Sequence, residues 1–164
     1  MIKNNPFWSN LFVKKSDVKS KITELWLQTP LFENVPTSMC RKLVENMHPR
    51  YYKKGETIFN QGELGAGAVL ITAGRVTIKS ADQVLAELVE GDFFGEVALV
   101  LDEPRTADAV ASEDCELVFL IKQDVNEWVN RTPRYGAVFM KNIAYLIATR
   151  LKQANQLLSE SHIS

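Results

Sequence analysis

Histidine and cysteine are scarce: the 164-residue chain holds two of each. His48 and His162 are too few for a multi-histidine metal site. Cys40 and Cys115 form no C-x-x-C pair, which argues against a zinc knuckle or a thioredoxin-type motif and leaves two small hydrophobes in a reducing compartment. A charge excess is also missing, because 19 Lys and Arg against 20 Asp and Glu give a formal net charge of -1. No global field therefore draws the chain to nucleic acid or to an anionic membrane, and any phosphate recognition must be local. No run approaches the about 18 apolar residues of a membrane span, and the opening MIKNNPFWSNLFVKK has no apolar stretch of secretory length. The chain is expected to be soluble and cytoplasmic. The patterns G-x-x-x-x-G-K-S/T and G-x-S-x-G are absent too, and no catalytic residue is assigned.

The residues present are those of a folding domain. Apolar residues make up 46% and charged residues 24%, with 8 Gly and 6 Pro, the balance of one globular domain with an extension. Residues 1–15 carry Pro6, Phe7, Trp8, Leu11 and Phe12, too aromatic for a solvated tail, and read as a docking appendage. From Ser16, a candidate N-cap, Val18, Ile22, Leu25 and Trp26 recur at helical spacing, and this helix stops before Pro30. A second helix starts at Thr37 or Ser38, with Met39, Leu43, Val44 and Met47 as its stripe. The division expected is residues 1–29 as appendage with one helix, 30–158 as the main domain and 159–164 as a polar tail.

Between residues 51 and 121 the period changes. Short Val-, Ile-, Phe- and Leu-rich runs are separated by turn signals at residues 53–55, 60–67, 73–74, 80–82, 90–92 and 112–114, which predicts an antiparallel roll or barrel. One interruption, at residues 95–100, reads as a single helical turn. Beyond Ile121 helical spacing returns, with Asp124 capping a helix that carries Val125, Trp128 and Val129 and stops near Pro133. A longer helix over residues 135–158 follows, carrying Phe139, Ile143, Leu146, Ile147, Leu151, Ala154, Leu157 and Leu158.

The interruption carries the chemistry. Gly95 precedes a helical turn, so the N–H groups of Glu96, Val97 and Ala98 lack intrahelical partners and point outward as an anion site. At that mouth the Glu96 carboxylate is favoured by the turn's dipole and is suited to accept from a vicinal sugar hydroxyl. Nine residues on, Arg105 offers a planar fork matched to phosphate oxygens, and Thr106 adds a hydroxyl. Carboxylate for sugar and arginine with free amides for phosphate, inside apolar walls, is chemistry suited to a cyclic ribose phosphate.

These residues resemble the phosphate-binding cassette of the cyclic-nucleotide-binding domain family, to which the catabolite activators, the regulatory domains of protein kinases A and G, and the cyclic-nucleotide-gated channels belong. Phe94-Gly95-Glu96-Val97-Ala98-Leu99 and Pro104-Arg105-Thr106-Ala107 match that cassette position for position. The resemblance runs over about residues 30–158. It implies an α+β fold: an antiparallel β-roll, a jelly-roll-like double-stranded β-helix, with an inserted short phosphate-binding helix and flanking N- and C-terminal helices. It implies that Glu96 holds the ribose 2'-OH and Arg105 the exocyclic phosphate oxygens, assisted by Thr106 and the amides of Gly95, Glu96, Val97 and Ala98. Leu88, Leu146 and Arg150 are further ligand-binding candidates, the last two for covering the base from the final helix. At residues 65–69 the family often has a second acidic residue and then an aromatic, where this chain has Gly65, Ala66, Gly67, Ala68 and Val69.

The expected function is to bind cAMP in preference to cGMP and to signal through the flanking helices to an effector protein, with a homodimer through the C-terminal helix. No metal, cofactor, membrane or direct DNA contact is expected, since only a few polar residues follow Leu158 where a helix-turn-helix would stand. The alternatives are a degenerate fold serving as a protein-interaction module, or a relative of transcription regulators without their DNA-binding domain.

Overall fold

The computed structural model describes residues 15–161. The aromatic segment at residues 6–12, His162 and the end of the chain lie outside the described residues. Helix α1 (Lys15–Leu27), a 3₁₀ turn (Pro30–Phe32) and helix α2 (Thr37–Val44) precede strands β1 (Arg50–Tyr52), β2 (Thr57–Phe59), β3 (Gly67–Ala73), β4 (Arg75–Ser80), β5 (Gln83–Val89) and β6 (Phe93–Phe94). A second 3₁₀ turn (Glu96–Leu99) then leads to β7 (Asp108–Ala111), β8 (Cys115–Ile121), helix α3 (Lys122–Arg131) and helix α4 (Pro133–Ser161). The strands form two four-stranded antiparallel sheets, ordered β1-β8-β3-β6 and β2-β7-β4-β5. This is the β-roll with flanking helices that the turn spacing predicts.

The alternation of side chains along β3 explains why one apolar run serves two cores. Val69 and Ile71 point into the roll beside Val76, Phe94, Ala109, Ala111 and Leu117. Ala68 and Leu70 point the other way, into a second core shared with the helices. A strand covered on both faces favours an unbroken apolar run, and residues 67–72 of β3 are all buried, the one polar side chain among them, Thr72, donating its hydroxyl to Glu116. β8 divides in the same manner, Leu117 to the roll and Val118 and Leu120 to the helices. Phe93 and Phe94 of β6 split likewise.

The helical core joins both ends of the chain. Ile22 and Trp26 of α1, Leu31, Phe32, Leu43 and Val44 meet Val125, Trp128, Phe139 and Ile143 from α3 and α4. Trp26 is fully buried and its indole N–H lies 3.3 Å from Met47 Sδ. Trp128 Nε1–H donates to the Met39 carbonyl (3.1 Å), and Asn142 Nδ2–H donates to the carbonyls of Leu31 (3.0 Å) and Glu33 (2.8 Å). Each buried large apolar side chain contributes about 1.5–3 kcal/mol, against about 1 kcal/mol net for a hydrogen bond. Packing therefore holds the helices to the roll, and the hydrogen bonds fix their register.

Local ends differ from the sequence reading. Ser16 sits inside α1 and its hydroxyl donates to the neighbouring Asp17, so it is no cap. α3 begins at Lys122 behind Ile121, which leaves Asp124 in the first turn, where its charge favours the helix N-terminus, rather than at the cap. α4 begins at Pro133, at a position whose missing N–H costs nothing, and continues to Ser161. The Pro30–Phe32 turn carries no helical periodicity in the sequence, yet Leu31 and Phe32 are buried in it. Among the described residues no helix is long and apolar enough to cross a membrane.

Candidate functional site

A cavity of about 590 Å³ opens between the roll and the second 3₁₀ turn. Phe59, Ile78, Ala86 and Leu88 of β2, β4 and β5 form its apolar wall, while residues 93–98, Leu101, residues 103–107 and Arg150 supply the rest. That volume falls in the range of small-molecule sites.

Arg105 stands at one end. Its Nη1–H donates to the Gly95 carbonyl (3.2 Å) and its Nη2–H to the Gly67 carbonyl (2.9 Å), while its guanidinium carbon lies 4.2 Å from the centroid of the Phe59 ring. The Nε–H is buried and has no partner among the described residues. Burial lowers the guanidinium's pKa from its usual range, and the carboxylates of Glu96 and then Glu63 oppose that shift. The backbone is fixed as well, since Arg105 N–H donates to the Glu63 carbonyl (2.7 Å) and Gly62 N–H donates to the Arg105 carbonyl (2.9 Å).

Gly95 turns the chain into the 3₁₀ segment with φ of 74°, a left-handed conformation that costs other residues energy, and a Cβ there would collide with Arg105 Nη1. The amides of Glu96 and Val97 have no backbone acceptor among the described residues. Ala98 differs from the expectation: its N–H donates to the Gly95 carbonyl (3.2 Å) because a 3₁₀ turn closes its bonds one residue sooner than an α-helix. Two free amides thus remain where three are expected. Ala98 and Leu99 are buried, and Leu99 belongs to the helical core, so the turn touches the cavity and the helices at once.

Glu96 is only 3% exposed and is ion-paired with Arg150 Nη1. Arg150 also lies 5.5 Å from the Phe93 ring centroid. The structure therefore brings Gly95, Glu96, Val97, Ala98, Arg105, Thr106, Leu88 and Arg150 to one cavity. Leu146 is not among its lining residues; it is half-buried against the helical core one turn before Arg150. Phe59, Phe93, Leu101 and Glu103 also line the cavity and are not marked as site residues by the sequence. Phe59 closes the short apolar run Ile58-Phe59 just before the Gln61-Gly62 turn, which is a signal for the end of a strand but not for the partner of its ring. Among the described residues no group of His, Cys, Asp and Glu could hold a metal ion.

The family model described as the cyclic nucleotide-binding domain matches residues 49–132, the span from β1 to the junction of α3 and α4, which holds every residue that lines the cavity except Arg150. The chain belongs to this family. Cyclic nucleotide-binding relatives include the cyclic AMP receptor protein of Thermus thermophilus, 33% identical over 132 residues that cover 77% of this chain and 59% of the relative. The cAMP-dependent protein kinase regulatory subunit of Mycosarcoma maydis is 31% identical over 110 residues, 65% of this chain and 21% of the relative. The crystal structure of the Thermus thermophilus catabolite activator protein superposes with a TM-score of 0.71 at 32% identity, covering 82% of this chain and 63% of that one. The chain spans less than two thirds of the length of these relatives, so the cyclic nucleotide-binding domain is the part they share.

Proposed function

We propose that the chain binds a 3',5'-cyclic mononucleotide, cAMP in preference to cGMP, and acts as a sensor rather than an enzyme. The observation that carries this reading is Arg105, which lines the cavity with a buried Nε–H that has no partner among the described residues, together with Glu96 and Val97, whose amides have no backbone acceptor there. A donor buried without an acceptor costs about 1–3 kcal/mol, and a phosphate oxygen would remove that cost. In this reading Arg105 and the amides of Glu96 and Val97 take the phosphate, Thr106 assists, and Glu96 takes the ribose 2'-OH. The base lies along Ile78, Ala86 and Leu88. An apolar wall leaves more of guanine's polar edge unpaired than of adenine's, which supports cAMP; Thr106 is the hydroxyl through which cGMP would be held.

Signalling follows as a population shift. The turn packs Leu99 on the helical core, and Lys122 at the start of α3 pairs with Asp102 (2.7 Å) just beyond the turn. Phosphate on the turn therefore bears on α3 and α4, and the ligand moves them by its differential affinity for the two arrangements. The readout is another protein, reached directly or through a homodimer. Exposed Leu151, Leu157 and Leu158 near the end of α4 support the homodimer. A net charge of -1 supports a chain that does not itself bind DNA, and the two free cysteines support the cytoplasm.

Calorimetric titration with cAMP, cGMP and a cyclic dinucleotide tests the reading. One site per chain for a mononucleotide, tighter for cAMP, is expected; no heat and no thermal stabilisation at millimolar ligand refutes it.

A further inference from the structure

We infer that Phe59 is a positioning residue for Arg105, its ring face setting the guanidinium before any ligand arrives; this rests on the reading of Arg105 as the phosphate ligand. The Arg105 guanidinium is restrained in two of its three dimensions by groups already described. Two carbonyls, Gly67 and Gly95, accept from its Nη edge and fix the guanidinium along its plane. Backbone bonds to Gly62 and Glu63 fix where the side chain starts. Neither sets its tilt. The tilt is set by Phe59, whose ring centroid lies 4.2 Å from Arg105 Cζ, at a distance where the negative ring face attracts the cation.

Phe59 is itself held. It pairs with Ala109 across the β2–β7 ladder, and its ring packs on Phe94 with centroids 5.8 Å apart. The loop after β2 leaves room for this arrangement: a Cβ on Gly65 would lie 2.6 Å from Ala98 Cβ, 3.0 Å from Arg105 Cζ and 3.1 Å from Nε. The departure at residues 65–69 thus has a physical content. Residues 65–69 carry no carboxylate, and the guanidinium is held by the Gly67 and Gly95 carbonyls and the Phe59 ring, with its Nε–H left unpaired among the described residues. A pre-ordered arginine loses less rotamer freedom on binding than a mobile one.

The test replaces Phe59 and reads both the ligand and Arg105 itself. Phe59→Leu keeps apolar volume and removes the ring face, and should weaken cAMP binding about 3- to 30-fold. In the ligand-free protein it should move the Arg105 Nε–H proton resonance out of its ring-current position. Phe59→Tyr should restore both. Pentafluorophenylalanine at position 59 keeps the shape and removes the negative face, so it should weaken binding over the same range even if the leucine variant fails to fold. Unchanged affinity with leucine or with the fluorinated ring overturns the positioning role, as does an unmoved Nε–H resonance. If the wild type binds no cyclic nucleotide, the phosphate reading fails, and the ligand-free resonance alone decides whether Phe59 sets Arg105.

Discussion

Arg150 on α4 is ion-paired with Glu96 on the 3₁₀ turn, and so joins two cavity-lining segments 54 residues apart. The two ends of this pair differ in solvation: the Glu96 side chain is 4% exposed and that of Arg150 is 46% exposed. Glu96 depends on the pair more than Arg150 does, because a buried carboxylate has few other donors.

Removing Arg150 should therefore destabilise the ligand-free protein. Breaking a fully buried pair costs about 3–5 kcal/mol, and the half-solvated arginine reduces this to about 1–2 kcal/mol. Arg150→Ala should lower Tm by roughly 2–8 °C. In a Glu96→Gln background the same change should cost less than half as much. Additive losses in this double-mutant cycle, measured by thermal unfolding, would show that the two residues do not act together.

A ribose hydroxyl at Glu96 predicts a smaller effect than phosphate at Arg105. Glu96→Gln removes one charge-assisted hydrogen bond, and cAMP affinity should fall by about 1.5–3 kcal/mol. Calorimetry on the folded variant measures it, and unchanged affinity would remove Glu96 from the ribose.

Ligand-dependent motion should be confined to the cover. With saturating cAMP, hydrogen exchange should slow most at residues 95–101 and in α3 and α4, since Leu99 and the Lys122–Asp102 pair connect these segments. Protection spread over the strands alone would contradict the proposed route.

Cys40 predicts a pH effect unrelated to the ligand. Burial pushes its thiol up to about 12 from 9.0. The raised value favours the folded state fully below pH 9, and that contribution is lost as pH rises from 9 towards 12, because the unfolded thiol ionises first. Between pH 8 and 10 the wild type should lose about 1.4 kcal/mol more stability than Cys40→Ala, measured by urea unfolding. Equal losses would show that the thiol is not held neutral.

Much of this architecture is legible in the chain. The change from helical spacing to turn-bounded runs marks the roll, and the cassette residues on either side of residues 100–103 point to one cavity without reference to distant contacts. What escapes is long-range pairing. The helical stripe of α4 shows that Leu146 and Arg150 share a side, but not that leucine meets the core while arginine reaches Glu96. Phe59 and Arg105 are likewise apart in sequence, and their contact depends on how the loop after β2 folds over Ala98. Ser16 and Asp124 fail as caps for a local reason, since the same polar residues also suit the first turn.

Calorimetric titration of cAMP into wild-type protein and Arg105→Ala tests the central claim most directly. Truncating one member of a desolvated, hydrogen-bonded charge pair costs about 2–5 kcal/mol. At about 1.4 kcal/mol per tenfold, the wild type should bind one cAMP per chain and Arg105→Ala should bind it roughly 30-fold to several thousand-fold more weakly. Arg105→Lys should recover only part, because a point charge does not reproduce a two-pronged contact. A folded Arg105→Ala that binds within about threefold of wild type, a gap of about 0.6 kcal/mol, would contradict the account.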